Sequence, residues 1–246
     1  MRDAFVFALY RPKIWRSPLL SRAHQFLFIH VPKTGGNAIH NALLPFSEDE
    51  KKITQKHDGV QRFELSSTLP NIRKHSGMSD YVAHLDQDTL GGLFKFAVTR
   101  DPWDRCVSHY FSPNRGNVIW KRSKFETFIC DTVLPMEHYL RHSPDDLTPE
   151  KNCDFFLRFE NIADDFAKLL EALGVPADQL EKVNVSKRRH YAYYYDEKLR
   201  NLVAEKFRWE INQFNYRYDH AETPRKTPDL GVYVDALKSA ISRRFR

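Results

Sequence analysis

Two short stretches of the chain set cations where an anion can be held. Pro32-Lys33-Thr34-Gly35-Gly36-Asn37 places a lysine and a threonine before two adjacent glycines. Glycines let backbone N–H groups approach a bound anion, and a helix that starts there adds unsatisfied N–H groups and the positive end of its dipole. Lys33 adds a full charge and Thr34 a hydroxyl. The pattern suits phosphate, but it is not the GxxxxGK[ST] loop that binds ATP or GTP, because the lysine precedes the glycines and the loop is shorter. A plain strand-to-helix turn is the alternative reading. The second stretch is Thr99-Arg100-Asp101-Pro102, with Ser108 on the helix that follows. A guanidinium at the end of a strand can chelate a phosphate through two N–H donors. Taken singly, Arg100 also reads as a helix-end ion-pair partner and Ser108 as a solvated helix residue.

Group transfer to a hydroxyl also needs a base whose pKa lies near working pH, and histidine suits that task. The chain has 11 histidines, so residue type alone selects none. His30 reads as a structural hydrogen-bonding group in the strand before the first loop, and His109 adjoins Ser108. No Asp/Glu/His constellation has metal-ligand spacing. Three scattered cysteines, Cys106, Cys130 and Cys153, are too few for a zinc cluster or a disulfide framework.

These residues need rigid elements to position them, and the hydrophobic pattern supplies candidates. Phe26–Ile29 is a short continuous apolar run that reads as a buried strand. Ala38, Ile39, Ala42 and Leu43 then recur at helical spacing until Pro45. Phe94–Val98 is a second strand, after Gly91-Gly92, which reads as a plain turn. Asp101 is placed to cap, and Pro102 to start, a helix whose Trp103, Cys106, Val107 and Tyr110 share one face. Phe155–Leu157 begins a third strand, and Asn161 is placed to cap a helix carrying Ile162, Phe166, Leu169, Leu170 and Leu173, ended by Gly174. A last helix from Asp196 buries Leu199, Leu202, Val203, Phe207, Ile211 and Phe214. The polar stretch from about Phe46 to Asp80 is expected to be irregular with helical pieces. Strands alternating with helices predict an α/β fold with a central parallel sheet flanked by helices, in which ligands sit at the carboxyl ends of the strands. Both loops fall there.

Composition sets the outer bounds. With 246 residues, 41% apolar and 13% aromatic, the chain is long enough for a sizeable core and unlike collagen, coiled-coil or disordered chains. It shows no internal repeat or linker, so a single domain over 1–246 is expected, with a core of about 26–218 and terminal extensions. No apolar run is long enough to span a bilayer and no secretory signal is evident, so a cytoplasmic location is expected. The formal charge is +6, and it lies mainly at the ends: residues 1–33 hold 6 basic and 1 acidic residues, and residues 220–246 hold 6 and 3. Basic termini of this kind suit contact with a membrane surface or an acidic acceptor.

Together the two loops resemble a known family. Phe28-Ile29-His30-Val31-Pro32-Lys33-Thr34-Gly35-Gly36 is similar to the 5′-phosphosulfate loop of carbohydrate-type sulfotransferases. Val98-Thr99-Arg100-Asp101-Pro102-Trp103-Asp104-Arg105-Cys106-Val107-Ser108-His109-Tyr110 is similar to their 3′-phosphate motif. The later segments Phe155–Leu173 and Lys187 to Tyr216 resemble the family's C-terminal half. The resemblance implies a P-loop-NTPase-like fold and a donor, 3′-phosphoadenosine 5′-phosphosulfate (PAPS), that gives 3′,5′-ADP as product without a metal. It implies that Lys33 contacts the leaving 5′-phosphate, that Thr34, Gly35, Gly36, Asn37 and Ala38 line it, and that Arg100 and Ser108 hold the 3′-phosphate. Many members carry Thr or Ser at the positions of Asn37 and Ala38, so a hydroxyl contact is altered in this chain. Tyr81-Val82-Ala83-His84-Leu85 resembles the segment with the base histidine of the heparan 2-O-sulfotransferases, which implies that His84 is catalytic beside Lys33. Lys187, Arg188 and Arg189, followed by Tyr191, Tyr193, Tyr194 and Tyr195, are expected to cover the donor's 3′-phosphate and adenine, to meet an anionic acceptor, or to form a solvated turn. The implied acceptor is a hydroxyl of a glycan, glycolipid or similar polar molecule, and no nucleic-acid partner is expected. A kinase or NTPase using the Lys33 loop, and a non-enzymatic anion or nucleic-acid binder, are the competing classes. The missing GxxxxGK and the lack of a carboxylate of the Walker-B type count against the first.

Overall fold

The computed structural model of the chain describes residues 19–48, 50–57, 60–66, 69, 71–112, 118–176, 180 and 188–219. Its centre is a four-stranded sheet. Strand β1 (Leu19–Ser21) turns into β2 (Phe26–Ile29), which feeds helix α1 (Gly36–Leu43). A two-stranded hairpin, β3 (Glu50–His57) and β4 (Val60–Ser66), precedes the short helices α2 (Met78–Val82) and α3 (Gln87–Gly92). Strand β5 (Phe94–Thr99) leads into α4 (Pro102–Tyr110), α5 (Arg122–Asp131) and α6 (Met136–Leu140). Strand β6 (Phe155–Arg158), α7 (Ile162–Leu173), α8 (Glu197–Lys206) and α9 (Arg208–Phe214) complete the described chain.

The sheet order is β1-β2-β5-β6, with β2, β5 and β6 parallel and β1 antiparallel to β2. The expected parallel sheet is present in β2, β5 and β6 and carries one antiparallel edge strand. Its antiparallel edge follows from the short connection between β1 and β2, which is long enough for a hairpin and too short for a crossover. The β1 strand also lies ahead of Phe26, the expected start of the core. Alternation along the strands divides the interior: Phe26, Phe28, Phe96, Val98 and Leu157 pack against Ile39 of α1 and Phe166 and Leu169 of α7. On the other face Ile29 and Ala97 meet Met78, Met136, Leu140 and Phe214, while Leu27 packs with Tyr81 and Leu85. The layered arrangement is mixed α/β with helices on both faces. Among the described residues, no helix is long and apolar enough to cross a membrane.

Three local expectations change. The Phe46–Asp80 stretch holds the β3–β4 hairpin rather than helix until α2 begins at Met78. The pair between the two strands is Asp58-Gly59, a dipeptide that tight hairpin turns favour. Asn161 sits before α7 but makes no side-chain cap; its amide donates to Asp165 Oδ1 at 3.2 Å, and Asp165 Oδ2 accepts from the Arg158 N–H at 2.9 Å. The last helix is interrupted at Phe207 (φ −109°, ψ 25°), which separates α8 from α9. At that break the chain turns Glu210 inward onto Arg105.

The Arg105–Glu210 pair is fully enclosed, with both side chains 2% exposed and Nη2 2.7 Å from Oε1. Arg105 Nη1 also donates to the Leu134 carbonyl at 3.2 Å, so this pair ties α4 to α9 and to the approach to α6. Burial pushes the Glu210 carboxyl above its usual range, against the opposing pull of Arg105. Removing one partner of such a pair leaves an uncompensated buried charge. Glu210→Ala is therefore expected to cost about 3–5 kcal/mol in urea unfolding, and a loss below about 1 kcal/mol would be the signature of an exposed pair.

Candidate active site

Both loops emerge at the carboxyl ends of neighbouring parallel strands, the first from β2 and the second from β5. In the first loop Lys33 and Gly35 take positive φ values of 67° and 89°. For lysine that conformation costs on the order of 1–3 kcal/mol and persists only where the surroundings over-determine it. Gly35 adopts it without a Cβ, which would in addition stand 2.8 Å from the Phe159 ring. A Cβ on Gly36 would stand 2.3 Å from His30 Nε2. The glycine pair thus lets the loop settle directly onto side chains from β2 and from the turn after β6.

Some groups expected to face a phosphate are engaged inside the loop. Thr34 is fully buried and its hydroxyl donates to the Val31 carbonyl at 2.9 Å. The Ala38 N–H donates to the Gly35 carbonyl at 3.0 Å. The N–H groups of Gly36 and Asn37, in the first turn of α1, have no intrahelical acceptor by geometry. Those two stand beside Lys33 at the start of the helix.

The second loop reaches the first through Arg100. Its Nη1 donates to the Lys33 carbonyl at 2.8 Å and to Ser108 Oγ at 3.3 Å. Its Nε donates to Asp104 Oδ2 at 2.8 Å, and its guanidinium lies 3.8 Å from the centroid of Phe159. Arg100 is 7% exposed, so this geometry is enclosed rather than solvated. Asp104 also accepts from Arg188 Nη2 through its other oxygen. Burial alone would raise the Asp104 carboxyl, but Arg100 and Arg188 outweigh it and hold the value below the usual range. Asp101 caps α4, accepting from the N–H groups of Trp103 and Asp104 at 2.8 and 3.2 Å, and burial pushes its carboxyl up to about 7. Arg100, Ser108 and Arg188 therefore form one cluster with Lys33, and Asp104 is its unforeseen member. Its signal was proximity in sequence, an acid in the first turn of α4 four residues after Arg100.

Lys187 lies outside the described residues. Arg189 stacks over Tyr193, 4.6 Å from its centroid, and Tyr191, Tyr194 and Tyr195 are buried in the core that packs α4 against α8. Tyr195 donates to the Trp103 carbonyl at 2.9 Å, and Trp103 Nε1 donates to the Arg200 carbonyl at 3.1 Å. His84 is exposed after α2, with Nδ1 2.8 Å from the Asp80 carbonyl of its own turn. His109 packs edge-on against Phe128.

A second pair of functional groups arrives from the segment before α2. Lys74 Nζ donates to Asn37 Oδ1 at 2.6 Å, and His75 Nδ1 lies 2.9 Å from the His30 carbonyl. The carbonyl can only accept, so His75 donates from Nδ1 and keeps the Nε2 lone pair. His75 keeps solvent-accessible surface. Burial, with Lys74 and Lys33 adding to it, brings His75 down to about 4, so it is neutral at physiological pH. Burial and the charges of Arg100 and Arg188 bring Lys33 down to about 8, and burial with Lys33 does the same to Lys74. No sequence pattern had singled out Lys74 or His75; the available signal was a Lys-His pair directly before α2. Among the described residues no cluster of His, Cys, Asp and Glu could hold a metal ion.

Beneath the loop, His30 stacks on Phe28 at 5.1 Å and lies 4.9 Å from His40 and 4.6 Å from His75, ring to ring. His30 Nδ1 and both ring nitrogens of His40 are buried without a hydrogen-bond partner among the described residues. Burial holds both well below the ordinary histidine value of 6.5, and neighbouring Lys74 and His75 lower them further. A histidine whose folded pKa is depressed binds fewer protons folded than unfolded, so stability is lost as pH falls below about 6.5. Thermal unfolding midpoints are expected to drop between pH 7 and pH 5, and His40→Leu is expected to flatten that drop. A midpoint independent of pH in the wild type would contradict the neutral cluster.

No curated protein and no solved structure matches the chain. Residues 18–217 match the Sulfotransferase family. That span contains the whole described sheet, both loops, Lys74, His75, Asp104 and Arg188, and the chain belongs to this sulfuryl-transferring family.

Proposed function

We propose that the protein is a PAPS-dependent sulfotransferase that moves the sulfuryl group to a hydroxyl of a carbohydrate or similar polar acceptor. The observation that carries this reading is the reach of Arg100 from the end of β5 to the Lys33 carbonyl and the Ser108 hydroxyl. It joins an anion loop for one end of a nucleotide to a guanidinium cluster for the other. A donor with phosphates at both its 3′ and 5′ positions needs two such places; ATP needs only one. The N–H groups at the start of α1 and the Lys33 ammonium would receive the 5′ group, and Arg100, Ser108 and Arg188 the 3′-phosphate, with Lys187 and Arg189 nearby in sequence.

In the transfer, the acceptor oxygen attacks sulfur, a new S–O bond forms, and the S–O bond to the bridging oxygen breaks. The electron pair leaves with 3′,5′-ADP, where Lys33 offsets the developing charge. The acceptor proton goes to a histidine. His84 is the candidate by resemblance. His75 is supported by position: it stands among Lys33, Lys74 and His30 with an Nε2 lone pair available, and the negative charge of a bound donor would raise its low value toward working pH. We assign the base to His75.

Thermal shift with 3′,5′-ADP, 5′-AMP and ATP with magnesium tests the donor. Stabilisation by 3′,5′-ADP well above that by ATP is expected, since ligand bound at 100 times its Kd stabilises by about 2.7 kcal/mol; stabilisation by ATP alone would overturn the reading. Arg188→Ala, which leaves the Arg100 bond to the Lys33 carbonyl in place, is expected to weaken 3′,5′-ADP by about tenfold or more while changing 5′-AMP little. For the base, labelled PAPS is screened against glycans, glycolipids and small alcohols. With the acceptor found, His75→Ala is expected to lower turnover by about 100-fold or more with 3′,5′-ADP affinity kept. If His84→Ala gives that loss and His75→Ala does not, the assignment passes to His84.

A further inference from the structure

We propose that Lys74 is a second donor-binding cation, which joins Lys33 in holding the phosphosulfate end of PAPS at the start of α1. This rests on the PAPS reading above. Lys74 is carried in from the segment before α2, and its ammonium is placed by a 2.6 Å hydrogen bond to Asn37 Oδ1. Asn37 is the second residue of α1, so the ammonium stands at the helix N-terminus. That is the end at which a cation is disfavoured and an anion favoured. The charge of Lys33 acts on the same group. Two half-buried ammonium ions beside a helix N-terminus repel one another and the helix dipole, and a bound dianion turns each repulsion into an attraction.

The chemistry of the donor fits that count. A phosphosulfate carries one negative charge on phosphorus and one on sulfur, whereas Lys33 supplies a single positive charge. The guanidinium groups of Arg100 and Arg188 belong to the opposite end, where both are tied to Asp104. Asn37 is also accounted for. Its amide oxygen lies one bond further from the backbone than a serine or threonine hydroxyl, and it is turned to Lys74. The change from hydroxyl to amide exchanges a direct contact to the anion for a mount that holds a second cation.

Isothermal titration of the full chain with PAPS and with adenosine 3′-phosphate tests the role. Among the described residues, groups facing Lys74 include Lys33, Asn37, His75 and, behind them, His30 and His40. Lys74→Met is expected to weaken PAPS by about tenfold or more and adenosine 3′-phosphate by no more than about twofold, with Lys74→Arg retaining most of the affinity. Wild-type affinity for PAPS is expected to fall as pH rises through about 8, where both lysines lose their protons, and to fall less steeply in Lys74→Met. Unchanged PAPS affinity in Lys74→Met would overturn the proposal, as would equal weakening of both ligands, which marks a structural role. Wild-type protein that binds adenosine 3′-phosphate and PAPS not at all would overturn the donor reading itself, an outcome visible before any variant is made.

Discussion

The hydrogen bond from Arg100 to the carbonyl of Lys33 is the contact on which the site's geometry depends. It crosses from the end of β5 to the loop after β2, and its acceptor is the backbone of a residue held at positive φ. A strained lysine would relax if that carbonyl were free to turn. Arg100 can hold it because its own guanidinium is fixed on three further sides, by Asp104, Ser108 and the Phe159 ring. The Phe159 ring also stands where a Cβ of Gly35 would be. One aromatic ring thus sets both the level of the loop and the plane of the guanidinium. The register of β2 against β5 and of β5 against β6 brings these three pieces to one edge of the sheet.

Charge is distributed across the site with the same economy. Residues 34–219 hold 26 basic and 28 acidic residues, so the body of the protein has no general basic field. What it has is local: Arg100 and Arg188 share one carboxylate, while Lys33 and Lys74 stand at the helix N-terminus. Asp104 bonds to both guanidinium groups and keeps them oriented, so a phosphate bound there would meet groups already in place. The ammonium groups are the softer half, since burial and mutual repulsion make their charge the easier one to lose.

Much of the frame was legible from local patterns. Apolar runs marked β2, β5 and β6, Asp101-Pro102 marked the start of α4, and Gly174 marked the end of α7 at φ 62°. Each of those signals acts over a few residues. The hairpin was missed because charged residues dilute its alternation, although Asp58-Gly59 stood between its strands. The loops could be read because glycine, lysine and arginine were concentrated in short stretches. Lys74 and His75 could not, because what places them at the loop is long-range: Asn37 lies 37 residues from Lys74, and His30 lies 45 residues from His75. Thr34 shows the converse. Its type suggested a ligand contact, but a fully buried hydroxyl needs an internal acceptor, and Val31 is the carbonyl within reach.

The layer beneath the loop shows why a carboxylate is not placed behind the cations. A buried carboxylate next to Lys33 and Lys74 would neutralise them and compete with any anion. The His30 ring, stacked on Phe28 and pressed against Gly36, behaves instead as a neutral aromatic spacer, while the backbone carbonyl of the same residue accepts from His75 and sets its tautomer. Burial keeps His30, His40 and His75 neutral, and the charge of neighbouring lysines adds to it. A bound anion would reverse that effect, since its charge would offset the lysines and raise the affinity of His75 for a proton, so donor binding and proton acceptance would be coupled through one electrostatic arrangement.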